Sequence, residues 1–586
     1  MRLVDARRLT GPNHLARAPL VIVEVALDPS ESAEAARDAY RSELVRMRAA
    51  FGLGDDVSML TRLHHGGAVF AYEAPVDTML ACAEMSEWAA ESAAEVMASR
   101  PARSIEPKRA AIAEMLARDH NPGLVALAAE ARRRDVPLLW DDDVVSLGTG
   151  KRSQSFAKAD MPDVASVAWD ALGAIPTVLV TGTNGKTTSS RLVARIATEA
   201  GLRVGTTSTD GITVGSELLE DGDWTGPAAA RIVLRRADVD LAVLETARGG
   251  ILRRGLAVET CDAALITNVS DDHIGLYGID DVGAMAEVKG VVARAVKESG
   301  TAVLNARDPR LVTLARELAC KVTFFADLDG PSGASVDAAR TVIDEHRARG
   351  GRAVFTRVGE IIAANGSDAS AEESLGRVDV LPITFGGAAR YNVENVLGAV
   401  AVAQALALGS PAISGGLRAF GMNDNPGRGQ VVVRNGVTVL LDFGHNPEGV
   451  RAVMQLVGAL RKSADASGGR GKAGPAQGRL TVVTGSPGDR SDQEIVDVAR
   501  ILAEARPDRV YVRELGEYLR GRQPGDVPAL YRRSFLELGL PAESFAVALS
   551  EVDALERAFS DAVPGDVIAV LVHLELKEVQ AFLDLE

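Results

Sequence analysis

A disulfide framework is missing from this chain. Cys82, Cys261 and Cys320 are far apart and odd in number, which fits a reducing compartment and three small buried hydrophobes. An export or membrane segment is missing too. The first apolar run, Pro19 to Leu27, contains Glu24, falls well short of the roughly 20 residues a span needs, and is followed by no small-residue cleavage site. The expectation is a cytoplasmic protein with no membrane partner. Positive charge is also in deficit, the formal net charge being -16. Contacts to a phosphate backbone need a basic face, so nucleic acid is disfavoured as a partner. An anionic nucleotide would need its own local cluster of cations.

What is present is ordinary for a folded chain: 47% apolar and 25% charged residues over 586 positions, enough for roughly three or four domains of about 150 residues. Up to residue 172, short apolar stretches mix with helix-like segments. In Asn121 to Arg134, for example, Leu124, Leu127 and Ala128 recur at helical spacing. The polar stretch Gly148 to Asp163 reads as a linker. From Ile175 onward, apolar runs of strand length alternate with amphipathic segments, the pattern of a parallel sheet covered by helices.

A second change follows the helical run Asn392 to Leu408, at Gly409 to Gly415. Val431 to Val433 and Val437 to Leu441 then flank Asn435-Gly436, a hairpin signal because both turn positions favour positive φ. Short strands at Leu480 to Thr484, Arg509 to Val512 and Val567 to Val572 leave room for crossover helices. Ser463 to Gly478, rich in Gly, Ala and Ser, reads as a flexible surface insertion. The expected fold is multi-domain α/β: an N-terminal α+β domain (1–172), a central domain on a P-loop-type parallel sheet (173–412) and a C-terminal Rossmann-like α/β domain (413–586).

Thr177 to Val180 is a short apolar strand. It runs into Thr181-Gly182-Thr183-Asn184-Gly185-Lys186-Thr187-Thr188 and then a helix with Leu192, Val193 and Ile196 on one face. Strand, glycine loop and helix come in the order phosphate binding requires. Glycines let backbone N–H groups approach phosphate oxygens, the helix N-terminus adds partial positive charge, and Lys186 adds a full one. Thr187 is placed to ligate Mg²⁺. The strict eight-residue pattern is not met, because Val180 stands five positions before Gly185 where glycine is required.

In open parallel sheets, ligands bind beyond the carboxyl ends of strands. Leu241 to Leu244 ends in Glu245, and Ala263 to Ile266 ends in Thr267-Asn268, with Asp271-Asp272-His273 close behind. If these strands neighbour the phosphate-loop strand, Glu245 and His273 would face a bound nucleotide and hold metal. Mg²⁺ favours oxygen ligands and needs only one or two protein carboxylates. Spacing alone leaves a solvated strand-end acid and a structural loop histidine open as readings of the two residues.

In this order the residues resemble the Mur ligase family, through the Gly182 to Thr187 loop, Glu245, Thr267 to His273, and Lys289. The resemblance continues in Asn305 with Asp308, Asn392 with Asn395, Gly427-Arg428, and Asp442-Phe-Gly-His-Asn-Pro447, and covers residues 173 to 586. Within the family it runs to the ligase half of the cyanophycin synthetases, which add arginine to aspartate side chains. Thr209-Asp-Gly211, Gly222 to Pro227, Glu245 to Arg253 and Leu519 to Arg522 carry that likeness. Arg8 to Asn13 and Leu147 to Lys151 extend it into the N-terminal region. Those enzymes interpose an ATP-grasp domain where this chain has only the residues between Lys151 and Ile175, so a single ligation is the activity implied.

The resemblance implies an ATP- and Mg²⁺-dependent ligase that joins a carboxylate to an amine through an acyl phosphate, adding an amino acid such as arginine to an aspartyl or other acidic peptide. Lys186 and the loop amides would hold the phosphates. Thr187 and Glu245 would hold one Mg²⁺ and His273 a second, assisted by Lys289, which matches a lysine carbamylated in the family. Arg428 and Asp442 would serve the γ-phosphate side and the ribose, with Asn305 and Asn392 near the adenine. A homo-oligomer is implied as well.

The amine must attack in its neutral form, and His445 is the candidate base. Arg520 and Arg522 read either as a bidentate site for an acidic substrate or as a solvated helix-end cluster. The adjacent His64 and His65 read as a loop pair. Two other functions compete with the main one: a nucleotide-binding regulatory or interaction protein that has lost the chemistry, and a different Mur-type ligase acting on cell-wall precursors or polyglutamate.

Overall fold

The structure is a computed structural model and describes residues 1–272, 274–467 and 478–585, with only the backbone described for 463–467. Two compact units emerge. One comprises Met1–Phe355, Ile362–Leu375 and Leu397–Gly416; the other comprises Thr356–Ile361, Gly376–Val396 and Leu417–Glu586.

The first unit opens with a four-stranded antiparallel sheet. Its strands Arg2–Leu9 and Leu20–Ala26 pair with each other, Leu20–Ala26 pairs with Gly67–Glu73, and Leu60–His64 closes the far edge. Helices Ala33–Ala49 and Met79–Met97 cover one face, burying Val21, Val23, Tyr40, Leu44, Phe70 and Trp88. The segment Asn121 to Arg134 is helical as its spacing predicts, over Pro122–Arg133, with the Asn121 side chain accepting from the Leu124 N–H at the N-terminus. Gly148 to Asp163 is not a plain linker. Gln154–Ala157 forms the third strand of a small antiparallel sheet with Val144–Leu147 and Leu138–Trp140. Its polar composition is that of a solvent-facing strand, held by its backbone ladder and a 2.7 Å contact between the Ser146 and Ser155 hydroxyls.

The central sheet has a parallel run in the spatial order Val204–Ser208, Leu241–Glu245, Thr177–Thr181, Cys261–Ile266, Val296–Asn305, Lys321–Ala326, Arg352–Arg357. These strands are near-continuous apolar runs because both faces are covered: Val178, Leu179, Val180, Ala242, Val243, Leu244 and Leu265 are all at most 3% exposed. The phosphate-loop strand Thr177–Thr181 thus lies directly between the strands ending in Glu245 and in Ile266, with Val180 opposite Glu245 and Thr181 opposite Ile266.

In the second unit the hairpin Gln430–Arg434 and Val437–Asp442 turns at Asn435 and Gly436, with φ of 52° and 77°. This is the doubly left-handed turn that the Asn-Gly pair favours. Parallel strands follow in the order Val437–Asp442, Val567–Leu571, Leu480–Thr484, Arg509–Arg513, Phe545–Ala548. Helix Pro447–Ser467 takes in the first residues of the expected surface insertion; residues 468–477 of that insertion lie outside the described residues. Among the described residues no helix is long and apolar enough to cross a membrane.

Candidate active site

The site in the first unit is built on the turn from Thr177–Thr181 into helix Lys186–Glu199. Gly182 adopts φ of +153°, and a Cβ there would sit 1.8 Å from Thr267 Oγ1, so only glycine lets the turn press against the neighbouring strand end. Gly185 follows at φ of +85° and opens the helix. Thr267-Asn268 grips the loop from the side. The Thr183 N–H donates to the Asn268 carbonyl (2.9 Å) and the Asn184 N–H to Asn268 Oδ1 (2.9 Å). In return, Thr267 Oγ1 and Asn268 Nδ2 donate to the Asn184 carbonyl at 2.6 and 3.1 Å. Behind this clasp, Asn305 Nδ2 donates to the Thr267 carbonyl at 2.9 Å, and Asp308 accepts from the Val269 N–H at 2.8 Å.

Two lysines converge on one carbonyl. Lys186 Nζ donates to Gly182 O at 3.1 Å and to Thr183 O at 2.9 Å, and Lys289 Nζ donates to the same Gly182 O at 2.9 Å. Lys289 lies on helix Val282–Arg294 and is 5% exposed. Burial pushes its ammonium down to about 7; the Lys186 and Arg248 charges add to the fall and Asp272 opposes it. At the second residue of the loop helix, Thr187 Oγ1 donates to Glu245 Oε2 at 2.9 Å and lies 3.2 Å from Thr209 Oγ1. Glu245 is 2% exposed.

Two hydroxyls and a buried carboxylate are the hard oxygen donors a divalent cation such as Mg²⁺ prefers, so this donor set fits one. Among the described residues no three His, Cys, Asp or Glu side chains are gathered as a metal site, which makes the hydroxyls part of any donor set here. His273 lies outside the described residues.

The remaining candidates are in the second unit. Asp442 ends its strand, buried, with Oδ1 accepting from the Gly444 N–H at 2.9 Å and Oδ2 from the Tyr391 hydroxyl at 3.4 Å. Burial raises its carboxyl to about 6, against the pull of the Arg428 charge and the backbone N–H groups of Gly444 and Gly429. The Arg428 guanidinium lies over the Phe443 ring at 4.2 Å. His445 sits on the same loop, its Nδ1 3.3 Å from Phe443 O. Asn392, 1% exposed, donates to Ile383 O at 3.0 Å and accepts from Asn395 at 3.1 Å. Arg520 pairs with Asp489, while Arg522 donates to Gly488 O and Arg490 O at 2.9 and 2.6 Å. Both arginines therefore tie their turn to the loop at 488–490.

Sequence reading passed over Asn268, Arg248, Tyr391 and His573, whose Nε2 lies 3.4 Å from Gly444 O. Asn268 and Arg248 stood in motifs, Thr267 to His273 and Glu245 to Arg253, without a role of their own. Tyr391 and His573 carried no local signal, because partners distant in sequence give them their place.

The model of the Mur ligase middle domain matches residues 180–403, and that of the Mur ligase glutamate ligase domain matches residues 427–571. The chain belongs to the Mur ligase family. Its curated relatives include ligases. It is 36% identical to cyanophycin synthetase of Synechocystis sp. over 409 residues, which is 69% of this chain and 43% of that protein. It thus spans less than half the length of the curated cyanophycin synthetases it matches. It is 26% identical to UDP-N-acetylmuramoyl-L-alanyl-D-glutamate–2,6-diaminopimelate ligase of Chlorobium phaeobacteroides, over 68% of this chain and 71% of that one. A bifunctional folylpolyglutamate synthase/dihydrofolate synthase from Yersinia pestis, solved with AMPPNP and a manganese ion, aligns over 70% of this chain and 89% of its own at 20% identity and a TM-score of 0.48.

Proposed function

We propose that this Mur ligase joins an amino acid to the side-chain carboxylate of an acidic peptide, using ATP. The observation that carries the reading is the meeting of Lys186 and Lys289 at Gly182 O beside the Thr187–Glu245 pair. Two lysine amino groups aimed at one loop carbonyl, with the Lys186 ammonium at the head of a helix, suit a site whose ligand is strongly anionic. In the reaction, a carboxylate oxygen attacks the γ-phosphorus and ADP leaves. The amine nitrogen then attacks the acyl carbon, phosphate leaves, and the amine gives up a proton. Thr187 and Glu245 would hold a divalent ion, which would supply charge neutralisation for the phosphates.

Lys186 and the amides of Gly182 to Thr188 orient the phosphates. Lys289, whose ammonium is pushed down to about 7, has the free amine that carbamylation requires, and His273 is assigned to the second metal ion by resemblance. Arg428 and Asp442 are assigned to the γ-phosphate and ribose, Asn305 and Asn392 to the adenine side, and His445 to the amine's proton. Residues 173–412 are read as the ATP-binding domain, 413–586 as the C-terminal ligase domain and 1–172 as an added N-terminal domain. Similarity to cyanophycin synthetase supports an aspartyl acceptor and an arginine-like amine.

The test is phosphate release from ATP with Mg²⁺, using a panel of aspartyl peptides and amino acids beside Lys186→Ala. Release should require one acceptor and one amine and yield a product heavier by the amine less water, and the variant should lose it by about a hundredfold or more. Tight nucleotide binding without turnover for any pair would instead favour a regulatory role.

A further inference from the structure

We propose that the N-terminal four-stranded sheet positions the two segments flanking Lys289, with Arg7, His64 and His65 as the positioning residues; the proposal rests on the ligase reading above. The first segment is loop 274–280. The Arg7 guanidinium lies over the Tyr277 ring at 5.1 Å. The His64 ring packs so closely on Gly278 that a Cβ there would come within 2.7 Å of it. The His65 N–H donates to Asp280 Oδ2 at 2.6 Å. This loop takes φ of 86° at Gly275, 56° at Tyr277 and 65° at Gly278. A tyrosine in the left-handed region persists only where its surroundings hold it there, and part of that hold comes from the N-terminal sheet.

The second segment is helix Arg248–Arg254 and its exit. Arg7 Nε donates to Leu252 O at 3.0 Å. Immediately after the same strand, the Thr10 N–H donates to Arg254 O and the Leu256 N–H to Pro12 O, each at 2.8 Å. Gly11 and Gly255 permit this approach: a Cβ on Gly11 would lie 2.1 Å from Leu256 O, and one on Gly255 2.6 Å from Gly11 O. Both segments reach the site electrostatically, since Asp272, just before the loop, and Arg248, at the head of the helix, are charges that Lys289 senses. One strand and its neighbours thus hold both sides of the buried lysine through directional contacts.

The test compares the wild-type chain with Tyr277→Leu, Tyr277→Phe and Asp280→Ala by hydrogen–deuterium exchange and by phosphate release. For Tyr277→Leu and Asp280→Ala, exchange in peptides covering 274–280 should rise about tenfold while the strands at 21–26 and 177–181 stay protected. For the same two variants kcat should fall about tenfold with KM for ATP little changed. Tyr277→Phe keeps the ring under Arg7 and should match wild type in both. Unchanged exchange in Tyr277→Leu overturns the proposal, as does raised exchange with kcat intact, or a Phe variant as damaged as the Leu variant. If wild type releases no phosphate with any acceptor, the ligase reading fails, and the exchange comparison alone still decides whether the sheet holds the loop.

Discussion

Buried charge governs the behaviour of single residues here. Lys289 ordinarily protonates near 10.5 but falls to about 7 in the fold. Between those values the unfolded chain holds a proton that the folded chain lacks, so stability rises with pH across that window; below it the full cost of charging the buried amine is present and this group adds no further pH dependence. Lys289→Met should abolish the contribution. Urea midpoints at pH 7 and pH 9 should then differ less in the variant, by roughly 2 kcal/mol at one proton per pH unit; an unchanged pH dependence would show that Lys289 is protonated in the fold. For Glu245→Gln, the shape and the Thr187 hydrogen bond survive while the anionic oxygen is lost. The expected result is a kcat lower by about a hundredfold and a higher Mg²⁺ half-saturation, with an unaltered circular dichroism spectrum. Glu245 was legible in sequence as a strand-end acid. Its 2% exposure was not, because burial depends on chains folded from elsewhere.

At the scale of elements, the phosphate loop is a joint between a strand and a helix that a third strand end clamps. Gly182→Ala would drive a methyl into Thr267 Oγ1, so the variant should lose about 1–3 kcal/mol and most of its nucleotide affinity, read by thermal unfolding and by titration with ADP. Wild-type affinity in that variant would mean the Thr267–Asn268 clasp is dispensable. The strand, loop and helix were readable because hydrophobic period and glycine placement are local. Likewise, Asn435-Gly436 announced its hairpin through the φ values it tolerates. The strand Gln154–Ala157 was misread as linker because three of its four residues face solvent; its ladder partners, not its composition, make it a strand.

For the molecule as a whole, nucleotide binding to the folded chain should raise the unfolding temperature of wild type, in proportion to about 2.7 kcal/mol at a hundredfold excess over Kd. Lys186→Ala should show little of this rise; a full rise in the variant would remove Lys186 from the phosphate site. The net charge of -16 leaves an anionic nucleotide dependent on local positive charge, and Lys186 at the head of the loop helix supplies it.

Sequence by itself determined the family, the alternation of strands and helices, the phosphate loop and the separate α/β character of the C-terminal part, since each is written in spacing along one stretch of chain. Only the tertiary structure decided that Lys289 meets Lys186 at one carbonyl, that Asp442 is buried beneath Tyr391, and that the first strand of the chain grips the segments beside Lys289. Those facts depend on contacts between residues far apart in sequence and on the loss of water around charge, and neither has a local pattern.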